Sequence, residues 1–177
     1  MKIWTIGHST RSWDDFVAVL RAHGIEAIAD VRRFPASRRH PQFNGEAMAR
    51  ALAQAHIAYR HFPQLGGRRP ARKDSPNTAW RNASFRGYAD HMATPEYGHG
   101  EASLKDFANE GRTAVMCAEV VWWQCHRGLI ADSLKSQGWE VLHIESGKPP
   151  REHPYTGAAT VADGRLSYEP PSQGKLL

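Results

Sequence analysis

The stretch TAVMCAEVVWWQCHRGLIADSLKSQGWEVLHI, residues 113–144, decides the class of fold. Its apolar start, Thr113–Cys117, predicts a buried strand, and Arg127–Gln137 predicts a helix that ends at Gly138. A second apolar run, Glu140–Ile144, predicts the strand that follows. A strand, a helix and a strand in this order are typical of a parallel sheet with helices packed on its faces.

The alternation of strands and helices extends towards the N-terminus. Lys2–Gly7 and Ile25–Val31 predict buried strands, and the helix between them is expected to begin after Ser12 and to end at Gly24. The other predicted elements are a helix from Asn44 to Ala55, a weaker strand at Tyr59–Phe62, helices at Phe85–Met92 and Glu101–Gly111 separated by a Pro95/Gly98/Gly100 break, and a hairpin at Thr160–Tyr168. The sequence therefore predicts a single α/β domain over residues 1–177, with a mostly parallel five-stranded sheet flanked by helices and a small C-terminal hairpin.

The composition excludes several classes of protein. The chain has 177 residues, 41% of them hydrophobic, which suits one globular domain and not a disordered segment. Two cysteines do not make a disulfide framework. The N-terminus has no long apolar segment and no run of about 18 apolar residues occurs, so we expect a cytoplasmic protein without a membrane partner.

The net charge of +5 is unevenly distributed. Residues 1–90 carry 15 basic and 7 acidic side chains, whereas residues 91–177 carry 8 basic and 11 acidic ones. The imbalance is sharpest at residues 31–86, with 12 basic and 2 acidic residues, and 17 of the 23 basic residues of the chain are arginine. Arginine forms bidentate contacts with phosphate and stacks on bases, so this half predicts a nucleic acid or a phosphorylated small molecule as partner; a solvated basic face is the alternative.

Polar, titratable or glycine residues follow five of the predicted strands. In an open parallel sheet, ligands bind in the crevice outside the carboxyl ends of the strands, so we expect these residues to converge on an active site. In chain order they are His8 and Ser9, then Asp30, Arg32 and Arg33, then Gly66 and Gly67, then Cys117 and Glu119, and finally His143 and Glu145.

Several of these residues also have a structural interpretation. His8 is typical of a helix cap, Asp30 and Arg32 of a structural ion pair, and Gly66–Gly67 of a turn. The long polar stretch at residues 66–84 predicts a loop, and a loop of this length in a compact domain is usually functional or disordered.

The segment from Cys117 to Arg127 concentrates two thiols, a carboxylate, an imidazole and a guanidinium between a buried strand and a helix. His126 and Arg127 at the helix N-terminus predict an anion site, and Cys125 there is typical of a thiol with a lowered pKa. Zinc is an alternative, since Cys117, Cys125 and His126 are zinc ligand types and Glu119 would serve as acid or base. The structural alternative is that the two cysteines are simply buried and reduced. A cysteine phosphatase loop is not indicated, because the spacing of Cys117 and Arg127 does not match that motif.

These motifs resemble domain-of-unknown-function family 488, a bacterial and archaeal family. The matching segments are Thr5-Ile6-Gly7-His8-Ser9 with Arg11, Asp30-Val31-Arg32 with Pro35 and Ser37, Leu65-Gly66-Gly67, Phe85 with Tyr88-Ala89, Met116-Cys117-Ala118-Glu119, Cys125-His126-Arg127 and Val141–Ile144. The resemblance covers a core at residues 2–145, followed by a C-terminal extension at residues 146–177, and implies an α/β fold with a common active site but no particular reaction. The stretch Val120–Gln124 departs from the short polar, often proline-containing segment of the family, which bears on substrate preference.

The sequence thus predicts a hydrolase-like enzyme that acts on a nucleic acid, a nucleotide or another phosphate-bearing substrate by carboxylate-assisted hydrolysis or glycosyl-bond chemistry. The predicted catalytic residues are Glu119, Asp30 and His8. The predicted substrate- or phosphate-binding residues are Ser9, Arg32, Arg33, Gly66, Gly67, Trp122, Trp123, Cys125, His126 and Arg127, with the two tryptophans as a stacking platform, an interface or packing under the loop.

No cofactor is expected, because the sequence carries no dinucleotide or NTP motif. Two alternatives stay open. One is a non-catalytic nucleic-acid-binding module that uses the basic segment and the tryptophan pair. The other is a metal-dependent enzyme with zinc at Cys117, Cys125 and His126.

Overall fold

The computed structural model describes residues 1–170, in which helices and strands alternate along most of the chain. In chain order the elements are β1 (Lys2–Gly7), α1 (Trp13–Ala22), β2 (Ala27–Asp30), α2 (Gly45–Gln54), β3 (Ala58–His61), α3 (Ala83–Met92), α4 (Pro95–Asn109), β4 (Thr113–Cys117), α5 (Arg127–Ser136), β5 (Glu140–Ile144), β6 (Arg151–Glu152), β7 (Thr160–Ala162) and β8 (Arg165–Ser167). Among these helices, none combines the length and the apolar composition that crossing a membrane requires.

The first six strands form one sheet in the order β3-β2-β4-β1-β5-β6. Strands β1 to β5 all run parallel to one another, and β6 pairs antiparallel with β5. Strands β7 and β8 form a separate hairpin. The predicted α/β fold with its mostly parallel sheet and C-terminal hairpin is therefore confirmed. The sequence did not reveal β6, because two residues are too few for an alternating pattern to be recognised.

Successive residues of the central strands face two hydrophobic clusters, one on each side of the sheet. On β1, Trp4 and Ile6 pack with residues of α1 and α2, whereas Ile3 packs on the opposite face with residues of α4 and α5. Side chains alternate between the faces of a strand, so a strand covered on both sides is apolar at almost every position. The carboxyl ends of β1, β2 and β4 remain as the edge at which polar groups can meet.

Helix α4 begins earlier than the sequence predicted. Pro95 occupies its first position and the Thr94 side chain caps it. Gly98 and Gly100, interpreted as a break, lie inside the helix. A Cβ at Gly100 would lie 2.8 Å from the Cβ of Gln64, so this glycine allows close packing and does not interrupt the helix.

Other local predictions from turn and cap chemistry are confirmed. The Ser12 side chain accepts a hydrogen bond from the backbone N–H of Asp15 at 3.1 Å, and α1 is followed by Gly24 with a φ of +61°. The hairpin turns at Asp163 and Gly164, with φ values of +50° and +74°, as a tight turn between twisted strands requires.

The C-terminal extension is anchored to α5 through the buried Asp132. This carboxylate accepts hydrogen bonds from Nε2 of His153 at 3.0 Å, from the hydroxyl of Thr156 at 2.5 Å and from the hydroxyl of Tyr168 at 2.9 Å. Because all four side chains are buried, these three residues of the extension pack against α5 in the interior of the domain.

Candidate active site

A cavity of about 860 Å³ lies at the carboxyl ends of β1, β2 and β4. Its lining draws on the residues that follow these strands and on the segment that precedes α5. Of the thirteen residues predicted to be catalytic or to bind substrate, eight line it: His8, Ser9, Arg32, Arg33, Gly67, Glu119, Cys125 and His126. Five others do not: Asp30, Gly66, Trp122, Trp123 and Arg127.

The side chains of Cys117, Cys125 and His126 form a compact group, which we call the Cys–His cluster. Its two sulfur atoms and one imidazole nitrogen lie within 4.8 Å of one another. Cys117 ends β4, and the other two residues directly precede α5, so a loop with one 3-10 turn at Trp122–Gln124 brings them together. Both cysteines are buried free thiols and both line the cavity.

His126 is held in one orientation by the backbone. Its Nε2 lies 2.9 Å from the carbonyl oxygen of Val31, and because a carbonyl only accepts, this nitrogen carries the proton. In the neutral ring Nδ1 is then the unprotonated nitrogen, and it lies 3.6 Å from the Sγ of Cys125. Gly67 packs against this atom, since a Cβ there would lie 2.8 Å from Nδ1. Neither Gly66 nor Gly67 has a positive φ, so these glycines allow close approach of neighbouring residues and do not form a left-handed turn.

Arg127 is deeply buried and connects the Cys–His cluster to the loop. It is 1% exposed and forms no ion pair with a carboxylate of the described residues. Its Nε donates to the Sγ of Cys125 at 3.3 Å, and its Nη2 donates to the carbonyl oxygen of Glu119 at 2.5 Å. Buried charges are normally paired, and the Cys125 sulfur is the ionisable group that this guanidinium contacts. Arg127, predicted to bind phosphate, is thus engaged in holding the loop.

The pKa values of the two thiols are shifted in opposite directions. Burial alone would raise the pKa of Cys125, but the neighbouring Cys117 thiol, the His126 imidazole and the Arg127 guanidinium outweigh it and hold that pKa well below its ordinary value. The interaction with Cys125, together with burial, raises the pKa of Cys117 well above its ordinary value. Of the two cysteines, Cys125 is therefore the more acidic.

Asp30 and Arg32 form a buried ion pair in which Nη2 and Oδ2 are 2.6 Å apart. Arg32 also donates from Nη1 to the carbonyl oxygen of Phe43 at 2.8 Å, and Asp30 also accepts from the Tyr59 hydroxyl at 2.8 Å. This is the structural ion pair that the sequence left open as an alternative. A catalytic role for Asp30 or a phosphate-binding role for Arg32 would require these bonds to break.

His8 supports this ion pair. Its Nδ1 donates to the carbonyl oxygen of Ser9 at 2.9 Å, so Nε2 accepts from Nη1 of Arg32 at 3.2 Å. The ring stacks on Phe43 with centroids 4.2 Å apart. Burial lowers the pKa of His8 to about 4, so the imidazole is neutral near pH 7 and both of its nitrogens are hydrogen-bonded.

Glu119 is the only carboxylate among the described residues that line the cavity. Its side chain is exposed, while its backbone is fixed by its neighbours. The backbone N–H of Ser9 donates to the carbonyl oxygen of Ala118 at 3.0 Å, which extends the pairing beyond β1 and β4. A Cβ at Gly7 would lie 1.8 Å from the carbonyl oxygen of Glu119, so only glycine allows the loop to approach β1 this closely.

Three exposed arginines, Arg33, Arg39 and Arg68, also line the cavity, and we call them the arginine rim. None of the three forms an ion pair with a residue of the described chain. Nη1 of Arg33 donates to the backbone carbonyl of Arg68 at 2.9 Å, which links the two sides of the rim. Gly66 permits this contact, because a Cβ there would lie 2.7 Å from the Cα of Arg33.

The model of one protein family, described as domain of unknown function DUF488, matches residues 12–134. The chain belongs to the DUF488 family. The matched segment contains the Cys–His cluster, the arginine rim and Glu119, whereas His8 and Ser9 precede it. No curated protein and no solved structure matches the chain significantly.

In this DUF488 protein the tryptophan pair lies outside the cavity lining. Trp122 stacks on His143, with ring centroids 4.4 Å apart and planes at 3°. Trp123 is 50% exposed. The structure thus packs one tryptophan behind the loop and presents the other to solvent. His143 and Glu145, which the sequence placed with the other polar residues at strand ends, do not line the cavity either.

Sequence reasoning missed several lining residues of the DUF488 cavity. Arg39 and Arg68 belong to arginine clusters that are visible in the sequence, but nothing local distinguishes them from Arg38 or Arg69. The other missed lining residues include Phe34, His40, Ser84 and Gln124, while Phe85 and Tyr88 were matched to the family but not assigned to the site. Their contribution depends on how the 66–82 segment and α3 pack over the sheet, and no motif encodes that.

Proposed function

We propose that this DUF488 protein is an enzyme that hydrolyses a phosphate-bearing substrate, such as a nucleotide or a nucleic-acid strand, in the cavity at the strand ends. One observation carries the proposal: a single carboxylate, Glu119, faces the same cavity as three exposed arginines without carboxylate partners among the described residues. An anion-binding rim beside one carboxylate is the arrangement that acid–base hydrolysis of an anionic substrate needs.

The arginine rim provides the binding side of this arrangement. Guanidinium groups form paired, charge-assisted hydrogen bonds with phosphate oxygens. Arg33, Arg39 and Arg68 are exposed, so their binding to phosphate breaks no buried ion pair. Arg32 lacks this property because its guanidinium is bonded to Asp30.

Glu119 provides the acid–base side. A water molecule attacks the electrophilic phosphorus or carbon of the substrate, Glu119 accepts the proton that the water loses, and the same carboxyl group returns a proton to the leaving group as its bond breaks. Asp30 is not assigned this role, because its carboxylate accepts hydrogen bonds from Arg32 and Tyr59 inside the protein.

The experiment is a hydrolysis assay on nucleoside monophosphates, short oligonucleotides and p-nitrophenyl phosphate, with released phosphate and released base followed separately by chromatography. We expect Glu119→Gln to lower kcat by about 100-fold or more, since general acid–base groups contribute roughly 10²–10⁴-fold. We expect Arg39→Ala to raise KM, and Arg50→Ala, an exposed arginine of α2 outside the cavity, to change neither value. Unchanged turnover in Glu119→Gln on any substrate of the enzyme contradicts the proposal.

A second candidate, a non-catalytic nucleic-acid-binding module, is supported by Phe34. This side chain is 66% exposed and lines the cavity beside Arg33, as an aromatic platform for a base would. In that case oligonucleotide affinity falls steeply with salt, survives Glu119→Gln and weakens in Phe34→Ala. Turnover that depends on Glu119 decides in favour of the enzyme.

A further inference from the structure

We propose that Cys117, Cys125 and His126 bind one zinc ion, with a fourth coordination position that opens into the cavity. Thiolate and imidazole are the ligand types that zinc takes in proteins, and three protein ligands plus one open position are typical of catalytic zinc sites. The chemical role of the ion rests on the proposed function, whereas its binding does not.

The first observation is the arrangement of the three donor atoms. They lie within 4.8 Å of one another, and the Cys125 Sγ and His126 Nδ1 are 3.6 Å apart. With Zn–S and Zn–N bonds of about 2.3 and 2.0 Å, two ligands of a tetrahedral ion are separated by roughly 3.5–3.8 Å. Small side-chain movements therefore suffice to place one ion between all three atoms.

The second observation is the orientation of His126. Its Nε2–H donates to the carbonyl oxygen of Val31, so in the neutral ring Nδ1 carries the lone pair, and this atom lies 3.6 Å from the Sγ of Cys125. A histidine that ligates a metal almost always donates its other ring N–H to a carbonyl or a carboxylate in this way. The contact fixes both the tautomer and the ring plane before any metal binds.

The third observation is the surroundings of the two sulfur atoms. Nε of Arg127 donates to the Sγ of Cys125, a hydrogen bond of the kind that supports a ligating thiolate. Two thiolates neutralise the charge of Zn²⁺, and a hydroxide at the fourth position would neutralise that of Arg127. The bound form thus buries no net charge in this group of residues.

The open position follows from the cavity. Cys117, Cys125 and His126 all line it, together with Glu119. Zinc lowers the pKa of a bound water towards 7, so hydroxide forms at neutral pH when Glu119 accepts the proton. The hydroxide oxygen then bonds to the electrophilic atom of the substrate, the bond to the leaving group breaks, and Glu119 returns the proton to that group. Soft thiolate ligands favour zinc over magnesium or calcium here.

The alternative for the same atoms is a metal-free pair in which the Cys117 thiol donates to the Cys125 thiolate. The two states differ in metal content and in spectrum, so one set of measurements separates them. Full-length protein is purified without chelator, its zinc is measured by mass spectrometry, and the metal-free protein is then titrated with ZnCl₂ and with CoCl₂.

We expect about one zinc per chain and, with cobalt, the sulfur-to-cobalt charge-transfer absorption and intense visible bands of a four-coordinate thiolate site. Cys117→Ser and His126→Asn should weaken zinc binding by more than the roughly 10–100-fold that is typical of a change outside the ligands. Glu119→Gln should bind zinc as the wild type does. His40→Asn, which alters another histidine of the cavity lining, is the matched control and should also leave binding unchanged.

Folding of the variants is checked by circular dichroism, and the wild-type titrations stand even if a cysteine variant does not fold. Wild-type protein that binds no zinc at micromolar concentration and gives no charge-transfer absorption with cobalt overturns the proposal. Zinc binding without any hydrolysis supports the site and contradicts only the proposed function. Hydrolysis that persists in metal-free protein overturns the zinc site as a reaction centre and leaves the proposed function standing.

Discussion

Nε of Arg127 lies 3.3 Å from the Sγ of Cys125, inside a core in which this guanidinium has no carboxylate partner among the described residues. The same side chain donates to the carbonyl oxygen of Glu119. One buried residue thereby connects the Cys–His cluster to the loop that carries the cavity carboxylate. Two donors of its planar guanidinium bridge these two groups from the first position of α5.

Replacing this residue by lysine tests the connection. A single ammonium group cannot reproduce the separated Nε and Nη2 donors, so we expect Arg127→Lys to lower the free energy of unfolding by about 1–3 kcal/mol. Urea unfolding measures the change. The matched control is Arg50→Lys on the exposed surface of α2, which should stay within about 0.5 kcal/mol of the wild type. Equal stability of Arg127→Lys and the wild type would show that the connection is unimportant.

The contact of Gly67 with His126 gives a second prediction. In Gly67→Ala the new Cβ would lie 2.8 Å from Nδ1, so the imidazole must shift. We expect a loss of stability of about 1–3 kcal/mol, typical of overpacking, and zinc affinity weakened about 10-fold or more. Gly98→Ala, in α4 with no atom within 4 Å of the new Cβ, should instead stabilise the protein by roughly 0.5–1 kcal/mol. Thermal melts and zinc titrations of both variants check this, and equal behaviour of the two contradicts it.

Substitutions at Asp30 and Tyr59 test whether Asp30 has a structural or a catalytic role. Asp30→Asn removes the charge that neutralises the buried Arg32, and we expect it to cost about 3–5 kcal/mol of stability. Tyr59→Phe removes one hydrogen bond to the same carboxylate and should cost roughly 1.5–3 kcal/mol. Chemical denaturation gives both values. An Asp30→Asn protein that is as stable as the wild type yet inactive would instead restore Asp30 to the reaction.

The pKa of His8 predicts how stability depends on pH. Its value of about 4 in the folded protein lies below the ordinary 6.5, so between these values the unfolded chain binds the proton more readily. The stabilisation is therefore complete above pH 6.5 and is lost as the pH falls towards 4. Between pH 7.5 and pH 5 we expect this residue to account for a loss of about 2 kcal/mol.

The measurement is the free energy of unfolding of the wild type and His8→Asn at both pH values. The variant should be less stable at pH 7.5 but should lose about 2 kcal/mol less on acidification. His99→Asn, at an exposed position of α4, is the control and should follow the wild type. A wild type and a His8→Asn protein with the same pH dependence would refute the assignment.

The sequence could predict the sheet because its strands are encoded locally. β1 and β4 are short apolar runs, and the helix that begins after Ser12 carries its own cap. Their carboxyl ends must then share one edge, which is why Cys117 and Glu119 were placed beside residues from β1. The same reasoning misplaced the start of α4, because Pro95, Gly98 and Gly100 together resemble a break, whereas Pro95 starts the helix and Gly100 allows close packing on Gln64.

The roles of neighbouring site residues could not be predicted in this way. Arg32 and Arg33 are adjacent in sequence, yet the first is buried against Asp30 and the second is exposed at the cavity. Trp122 was expected near a ligand, but it packs on His143 of β5, far away in the chain. Such outcomes depend on the side to which each residue turns at the end of a strand, and on long-range contacts that no local pattern specifies.

The most direct test of the central claim, that the cavity between Glu119 and the arginine rim binds a phosphate-bearing substrate, is a ¹H–¹⁵N NMR titration with adenosine monophosphate. We predict the largest chemical-shift changes at the backbone amides of Gly67, Arg68 and Glu119, and binding weakened about 10-fold in Arg39→Ala, since a hydrogen bond to a charged group contributes about 1.5–3 kcal/mol. No shift changes, or changes confined to the groove between α1 and α2 near Ala18 and Ala51, would contradict the claim.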